Sequence, residues 1–122
     1  MNIALWVVQG LTTLAFGGHG LLMLFGFQRM AQRVPWVRAL PAPFVRLLGF
    51  LEVLGAIGVV VPAATGVLPS LTVAAAGGLV AMMLLAMLFH VTRREWPNIG
   101  LNFVLGALAF VVAYGRLVIE PF

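Results

Sequence analysis

The chain has 122 residues, of which 63% are hydrophobic and only 8% are charged, with a formal net charge of +4 and a mean hydropathy of +1.15. This composition leaves too little polar material to cover a water-soluble globule, so it indicates an integral membrane protein of a single domain. The absence of cysteine excludes thiol–disulfide exchange, iron–sulfur ligation and thiolate zinc sites.

Four stretches are apolar over roughly the 20 residues that a helix needs to cross a bilayer. Hydrocarbon accepts only helices or closed barrels, and uninterrupted apolar runs without period-2 alternation exclude the barrel. The sequence therefore predicts an all-α bundle of four transmembrane helices, at residues 3–27, 44–63, 70–91 and 99–115. Prolines mark the longest break, where a short helix in the headgroup layer is expected to bury the ring of Trp36.

Arginine is distributed unevenly between the two ends of this predicted bundle. Six of the seven lie in or beside the two loops at one end, namely Arg29, Arg33, Arg38, Arg46, Arg93 and Arg94. Only Arg116, offset by Glu120, lies at the other end. The positive-inside rule predicts cytoplasmic arginine-rich loops and both termini on the non-cytoplasmic side, as in a bacterial inner membrane. Arginines in short loops against the bilayer suit anionic lipid headgroups and argue against nucleic-acid binding.

Helical spacing places the polar residues inside the bilayer on stripes that can face one axis. At ~1.5 Å of rise per residue, His19 and Glu52 lie roughly 12 Å from the cytoplasmic edge, and Arg46, His90 and Asn102 lie within roughly 6 Å of it. The sequence thus predicts a polar funnel with His19 and Glu52 at its floor.

Glu52 is the one acid of three that is expected inside the bilayer, where an unpaired carboxylate costs ~2.5 kcal/mol or more. If His19 pairs with it, the carboxylate stays ionised beside a protonated imidazole; if not, burial favours the neutral acid. The pair is a candidate ligand or proton site, and the alternative is that it simply holds two helices together.

The candidate ligand-binding residues are therefore Glu52, His19, His90, Asn102 and Arg46, and no residue is predicted to be catalytic. His19 and His90 differ in depth by roughly 10 Å, so they are not expected to hold one metal ion or haem. The single serine, Ser70, is remote in sequence from any acid or histidine, which argues against a hydrolase.

Four segments carry a more specific pattern. They are GLLMLF at residues 20–25, RLLGFLEVLGAIGVVVP at 46–62, LPSLTVAAAGGLVAMMLLAMLFH at 68–90 and NIGLNFVLGALAFVVAYGR at 98–116. In these segments the chain resembles the DoxX-like family of small four-helix membrane proteins. The resemblance implies that Glu52 matches the family's helix-two glutamate and His90 its helix-three histidine. Many relatives carry lysine where Met23 stands, so His19 would substitute for that cation.

The resemblance implies a link to quinone or quinol redox systems, to accessory subunits of membrane oxidoreductases, or to the assembly of other membrane proteins. A polar funnel among acyl chains suits a quinone headgroup, and no covalent cofactor is expected. Electrons would come from an oxidoreductase partner, so the sequence predicts a binding or accessory subunit before an autonomous enzyme. Two alternatives stay open: a proton-coupled exporter of lipophilic compounds that works as a homo-oligomer around Glu52, and a structural partner of other membrane proteins.

Overall fold

The structure, a computed structural model, describes residues 2–122. In chain order its elements are α1 (Asn2–Phe25), α2 (Phe27–Arg33), α3 (Pro35–Ala39), α4 (Ala42–Thr65), α5 (Ser70–Thr92), α6 (Trp96–Tyr114) and a π-helical turn (Gly115–Ile119). No strand occurs within this described range. The four long helices α1, α4, α5 and α6 are each apolar and long enough to cross a membrane, which confirms the predicted all-α fold with four such helices.

The ends of the helices follow from local sequence. α1 ends at Phe25, ahead of Gly26, whereas the predicted span ran to residue 27. α4 continues through Pro62 and ends at Thr65. The next residue, Gly66, caps the helix with a φ of +73°, a left-handed conformation that glycine adopts without strain. α6 begins three residues before its predicted start because Pro97 fits the first helical turn, where a missing N–H costs nothing.

The four long helices form a ring in which α1 contacts α4 and α6, and α5 contacts the other side of both. Helices α1 and α4 approach each other backbone to backbone at two glycines. A Cβ added to Gly20 would lie 2.7 Å from the carbonyl oxygen of Gly49, and one added to Gly49 would lie 2.6 Å from that of Gly20. Small residues allow this close approach of helix backbones, which brings the neighbouring side chains of the two helices within hydrogen-bonding reach.

The inward stripe of α4 contains Val45, Gly49, Glu52, Ala56 and Val59, the five residues that helical spacing aligns. Apolar residues of all four long helices pack around Ala56 and Val59 and fill the ring toward the α4–α5 turn. At the opposite end Val45 packs in a second apolar cluster with the residues of α3. The ring is therefore solid at one end and covered by short helices at the other.

The short helices α2 and α3 fold back onto the bundle. The ring of Trp36 lies edge-on to the imidazole of His90, with centroids 5.4 Å apart, and edge-on to Phe89. The short helix that the sequence predicts around Trp36 is therefore present, and the ring of Trp36 is buried as expected, against α5.

Arg116 connects α6 to α1 at the end of the bundle farthest from α3. Its side chain is buried, and its Nε donates to Oε1 of Gln9 at 2.8 Å while its Nη1 donates to Oδ1 of Asn2 at 2.6 Å. Gln9 also donates from Nε2 to the carbonyl oxygen of Val59 on α4. The same guanidinium donates from Nη1 to the backbone oxygen of Glu120, at 3.2 Å. Its side-chain hydrogen bonds therefore go to neutral amides of α1.

Candidate functional site

A cavity of about 380 Å³ lies between the four long helices and α3. Its polar lining comes from two sides: His19 and Glu52 on α1 and α4, and His90 and Asn102 on α5 and α6. Asn98 adds a further amide at the start of α6. The rest of the lining is apolar and consists mainly of methionine, leucine and phenylalanine side chains, with the indole of Trp36 on α3. A mostly apolar hollow with a few convergent polar groups is the usual form of a small-molecule site.

The imidazole of His19 is hydrogen-bonded to the carboxylate of Glu52, with 2.8 Å between Nδ1 and Oε1. The Glu52 side chain is only 3% exposed, whereas that of His19 is 24% exposed. The contact exists because Gly20 follows His19 and Gly49 precedes Glu52 by one helical turn, so the glycine contact sets the spacing of the two helices here. Nδ1 is engaged by the carboxylate, and His19 also belongs to the cavity lining.

The second imidazole is also paired with a carboxylate. His90 Nδ1 lies 2.9 Å from Oε1 of Glu95, and Arg93 donates from Nε to the same oxygen at 3.0 Å. Glu95 lies in the turn between α5 and α6. Burial acts to raise the pKa of the Glu95 carboxyl, but its hydrogen bonds to His90 and Arg93 outweigh burial and hold that pKa below its usual value. The cavity is therefore lined by two imidazoles, each oriented by its own carboxylate.

Asn102 adds a hydrogen-bond donor, the Nδ2 of its side-chain amide, to the cavity lining. Its Nδ2 is buried and has no partner among the residues that the structure describes. An amide in this condition costs about 1–3 kcal/mol of desolvation unless a partner satisfies it. Because Asn102 lines the cavity, a bound molecule with an acceptor oxygen is a suitable partner.

The sequence pattern of the DoxX-like family matches residues 7–112, a range that contains every polar residue of the cavity lining. This chain belongs to the DoxX-like family. Comparison with curated proteins and with solved structures gave no match. The resemblance noted in the sequence is thereby confirmed, and the two residues it singled out, Glu52 and His90, both lie on the cavity.

Of the five ligand-binding residues predicted for this DoxX-like protein, four share the cavity and one does not. Arg46 is exposed on α4, and its guanidinium carbon lies 5.5 Å from the centre of the Phe27 ring, outside the cavity lining. Arg46 lies outside the cavity because Val45 faces inward, and each residue of an α-helix is rotated by about 100° from the one before it.

Glu95 and Trp36 contribute to the DoxX-like site and were missing from the predicted set. Glu95 is in contact with His90. The sequence feature that could have indicated this contact is an acid five residues after a histidine at the end of a helix. Trp36 lines the cavity because α3 folds inward. Helical periodicity does not predict how a short helix folds against the bundle. Within residues 2–122 no three histidine, cysteine or acidic side chains lie close enough to hold a metal ion.

Proposed function

We propose that this DoxX-like protein binds the headgroup of a quinone, or of a similar hydrophobic small molecule, as an accessory subunit of a membrane redox system. The observation that carries the proposal is the cavity with polar groups on two sides: the His19–Glu52 pair on one, and Asn102 with an unsatisfied Nδ2 on the other. A quinone presents acceptor oxygens at opposite edges of a flat apolar ring. Donors on two sides of an otherwise apolar hollow match that arrangement.

Proton exchange with the bound ring is the chemistry that these side chains can supply. A quinone needs hydrogen-bond donors, and a quinol needs acceptors for its hydroxyl protons. An imidazole beside a carboxylate can act in either sense, since His19 can give or take a proton while Glu52 stays beside it. Electrons are supplied and removed by a partner oxidoreductase, so this chain orients the ring and handles protons only.

The proposal includes an orientation in the membrane. The arginine-rich loops, with α2 and α3, lie in the cytoplasm of a bacterial inner membrane, because short basic loops are retained on that side. Both termini then lie on the other side, where Arg116 joins α6 to Asn2. A quinone enters from the bilayer, since the cavity lining includes Leu85 and Leu101, which are exposed on the lipid-facing surface.

Thermal unfolding of the purified protein in mild detergent, with and without decylubiquinone, tests this proposal. A ligand at 100 times its Kd stabilises the folded state by about 2.7 kcal/mol, so the wild type should melt at a higher temperature. Glu52→Gln and Asn102→Leu should each lose most of that increase, while Glu120→Gln, outside the cavity, should keep it. An increase that is the same in all four proteins, or absent from the wild type, contradicts the proposal.

The same variants separate the two alternative functions. A purely structural role is favoured by one observation, that Glu52 is already hydrogen-bonded within the chain. In that case Glu52→Gln lowers the melting temperature of the free protein and leaves every ligand effect unchanged. A proton-coupled exporter would instead release protons when a lipophilic cation is added to proteoliposomes, and Glu52→Gln would abolish that release.

A further inference from the structure

A second hollow lies on the lipid-facing side of the bundle, in the seam between α4 and α5. It is an open groove of about 630 Å³, and every side chain that lines it is apolar. Its floor is made of small residues, among them Gly55 and Gly58 on α4 and Gly78 on α5. Nothing in this groove can hydrogen-bond a polar ligand through a side chain, so it is suited only to hydrocarbon.

The groove and the cavity lie end to end. Met82 lines both of them. On α5, Gly78 belongs to the groove and Leu85 to the cavity, and steps of four and three residues through Met82 place all three on one helix face. On α4 the same spacing connects Leu48 of the cavity to Gly55 of the groove. The two hollows therefore adjoin at Met82 along the α4–α5 seam, with polar groups only on the side of α3.

The dimensions of the groove indicate what it can hold. Its α5 lining runs from Leu71 to Met82, a rise of roughly 16 Å, which is long enough to hold an extended decyl chain. With a volume of about 630 Å³ over this length, the groove has room for a hydrocarbon chain, and it begins at Met82, where the polar cavity ends. These two features favour the apolar tail of an amphiphile as its occupant.

We infer that the ligand is a long-tailed amphiphile, which places its polar ring in the cavity and its apolar tail in the α4–α5 groove. The inference rests on the proposed function and narrows it to lipid-like molecules such as isoprenoid quinones, as opposed to tailless ring compounds. Because the tail leaves surroundings as apolar as the groove, its contribution comes from packing and shape and not from water exclusion.

Two adjacent glycines of α5 provide a matched test. Gly78 lines the groove and Gly77 does not, and a Cβ at either position meets nothing within 4 Å. Gly78→Leu therefore has space for its Cβ and places a side chain at the groove, and Gly77→Leu is the control with the same change of helix propensity. Replacing Trp6 and Trp96 by phenylalanine leaves Trp36 as the reporter in the cavity, because quinones quench indole fluorescence on contact.

Titrations with decylubiquinone and with the tailless ring ubiquinone-0 give the decisive comparison. We expect Gly78→Leu to raise the Kd of decylubiquinone by about fivefold relative to the wild type, with no change for ubiquinone-0 and none in Gly77→Leu. The wild type should bind the decyl compound more tightly than the tailless ring.

Four results would overturn the inference. An unchanged Kd of decylubiquinone in Gly78→Leu, or equal affinities of the wild type for both quinones, would show that the tail does not bind in the groove. Either result leaves the proposed function intact. If neither quinone quenches the fluorescence of Trp36 in the wild type, the result contradicts the proposed function as well. A change of oligomeric state in Gly78→Leu, measured by light scattering on size exclusion, would assign the groove to a second copy of the chain.

Discussion

The close contact between α1 and α4 makes the bundle sensitive to one methyl group at Gly20. A Cβ at this position would lie 2.7 Å from the carbonyl oxygen of Gly49, 2.9 Å from Cγ2 of Val53 and 3.0 Å from Cβ of Glu52. The valine methyl can rotate away, but the carbonyl belongs to the backbone of α4 and moves only with the whole helix. Gly20→Ala must therefore push the two helices apart.

Two effects of opposite sign determine the magnitude. Alanine in place of glycine inside a helix stabilises it by about 0.5–1 kcal/mol, whereas overpacking typically costs about 1–3 kcal/mol. Because the obstacle at Gly20 is backbone, we expect the upper part of that range and a net loss of about 1–2 kcal/mol of unfolding free energy. At Gly18, on the same helix, a Cβ meets nothing within 4 Å, so Gly18→Ala should gain stability instead.

Equilibrium unfolding in mixed micelles, followed by tryptophan fluorescence as the fraction of denaturing detergent rises, measures this difference. The Gly20→Ala variant should also lengthen the 2.8 Å contact between His19 and Glu52, which the nitrogen chemical shifts of the His19 imidazole will report. Unfolding free energies that agree within about 0.5 kcal/mol for Gly20→Ala and Gly18→Ala would refute the argument that backbones touch here.

Two further predictions concern the polar groups at the ends of the bundle. Because the pKa of Glu95 is lower in the folded protein than its ordinary value of 4.5, its contribution to stability is complete above that pH and is lost as the pH falls below it. Glu95→Gln should therefore melt at a lower temperature than the wild type at pH 7, and its melting temperature should fall less on acidification to pH 3. An equal fall of the melting temperature in both proteins would contradict the contact with His90. At the other end, Arg116→Met should cost about 1–3 kcal/mol by leaving the buried Oε1 of Gln9 unpaired. Gln9→Leu should then cost less in that variant than in the wild type, and strict additivity of the two changes in a double-mutant cycle would count against the contact.

Helix α4 illustrates what could be predicted from the sequence. Steps of three and four residues align Val45, Gly49, Glu52, Ala56 and Val59, and these five form its buried face. Helical periodicity determines which residues share a face, and the bilayer limits the backbone to helices once long apolar runs are present. The all-α fold, its four membrane-length helices and the family were therefore accessible from the residues alone.

Contacts between elements were less accessible, because they depend on backbone angles at the turns and on the rotation of each helix. Glu95 meets His90 only because the turn after α5 places Arg94 at a φ of +56°, a conformation uncommon outside glycine. Trp36 reaches the cavity through the inward fold of α3. Arg46 lies away from the cavity because its neighbour Val45 is on the buried face of α4, and the depth on which the prediction of Arg46 rested carries no information about rotation.

The hydrogen bonds of Gln9 have a consequence for how the protein is made. Its partners are Val59, 50 residues later in the chain, and Arg116, 107 residues later. Helices leave the ribosome in order, so Gln9 can meet Val59 while α5 and α6 are still to be synthesised, whereas Arg116 follows only after α6. The ring cannot close through Arg116 before that point, and a chain stalled ahead of it would leave Oε1 of Gln9 without this partner.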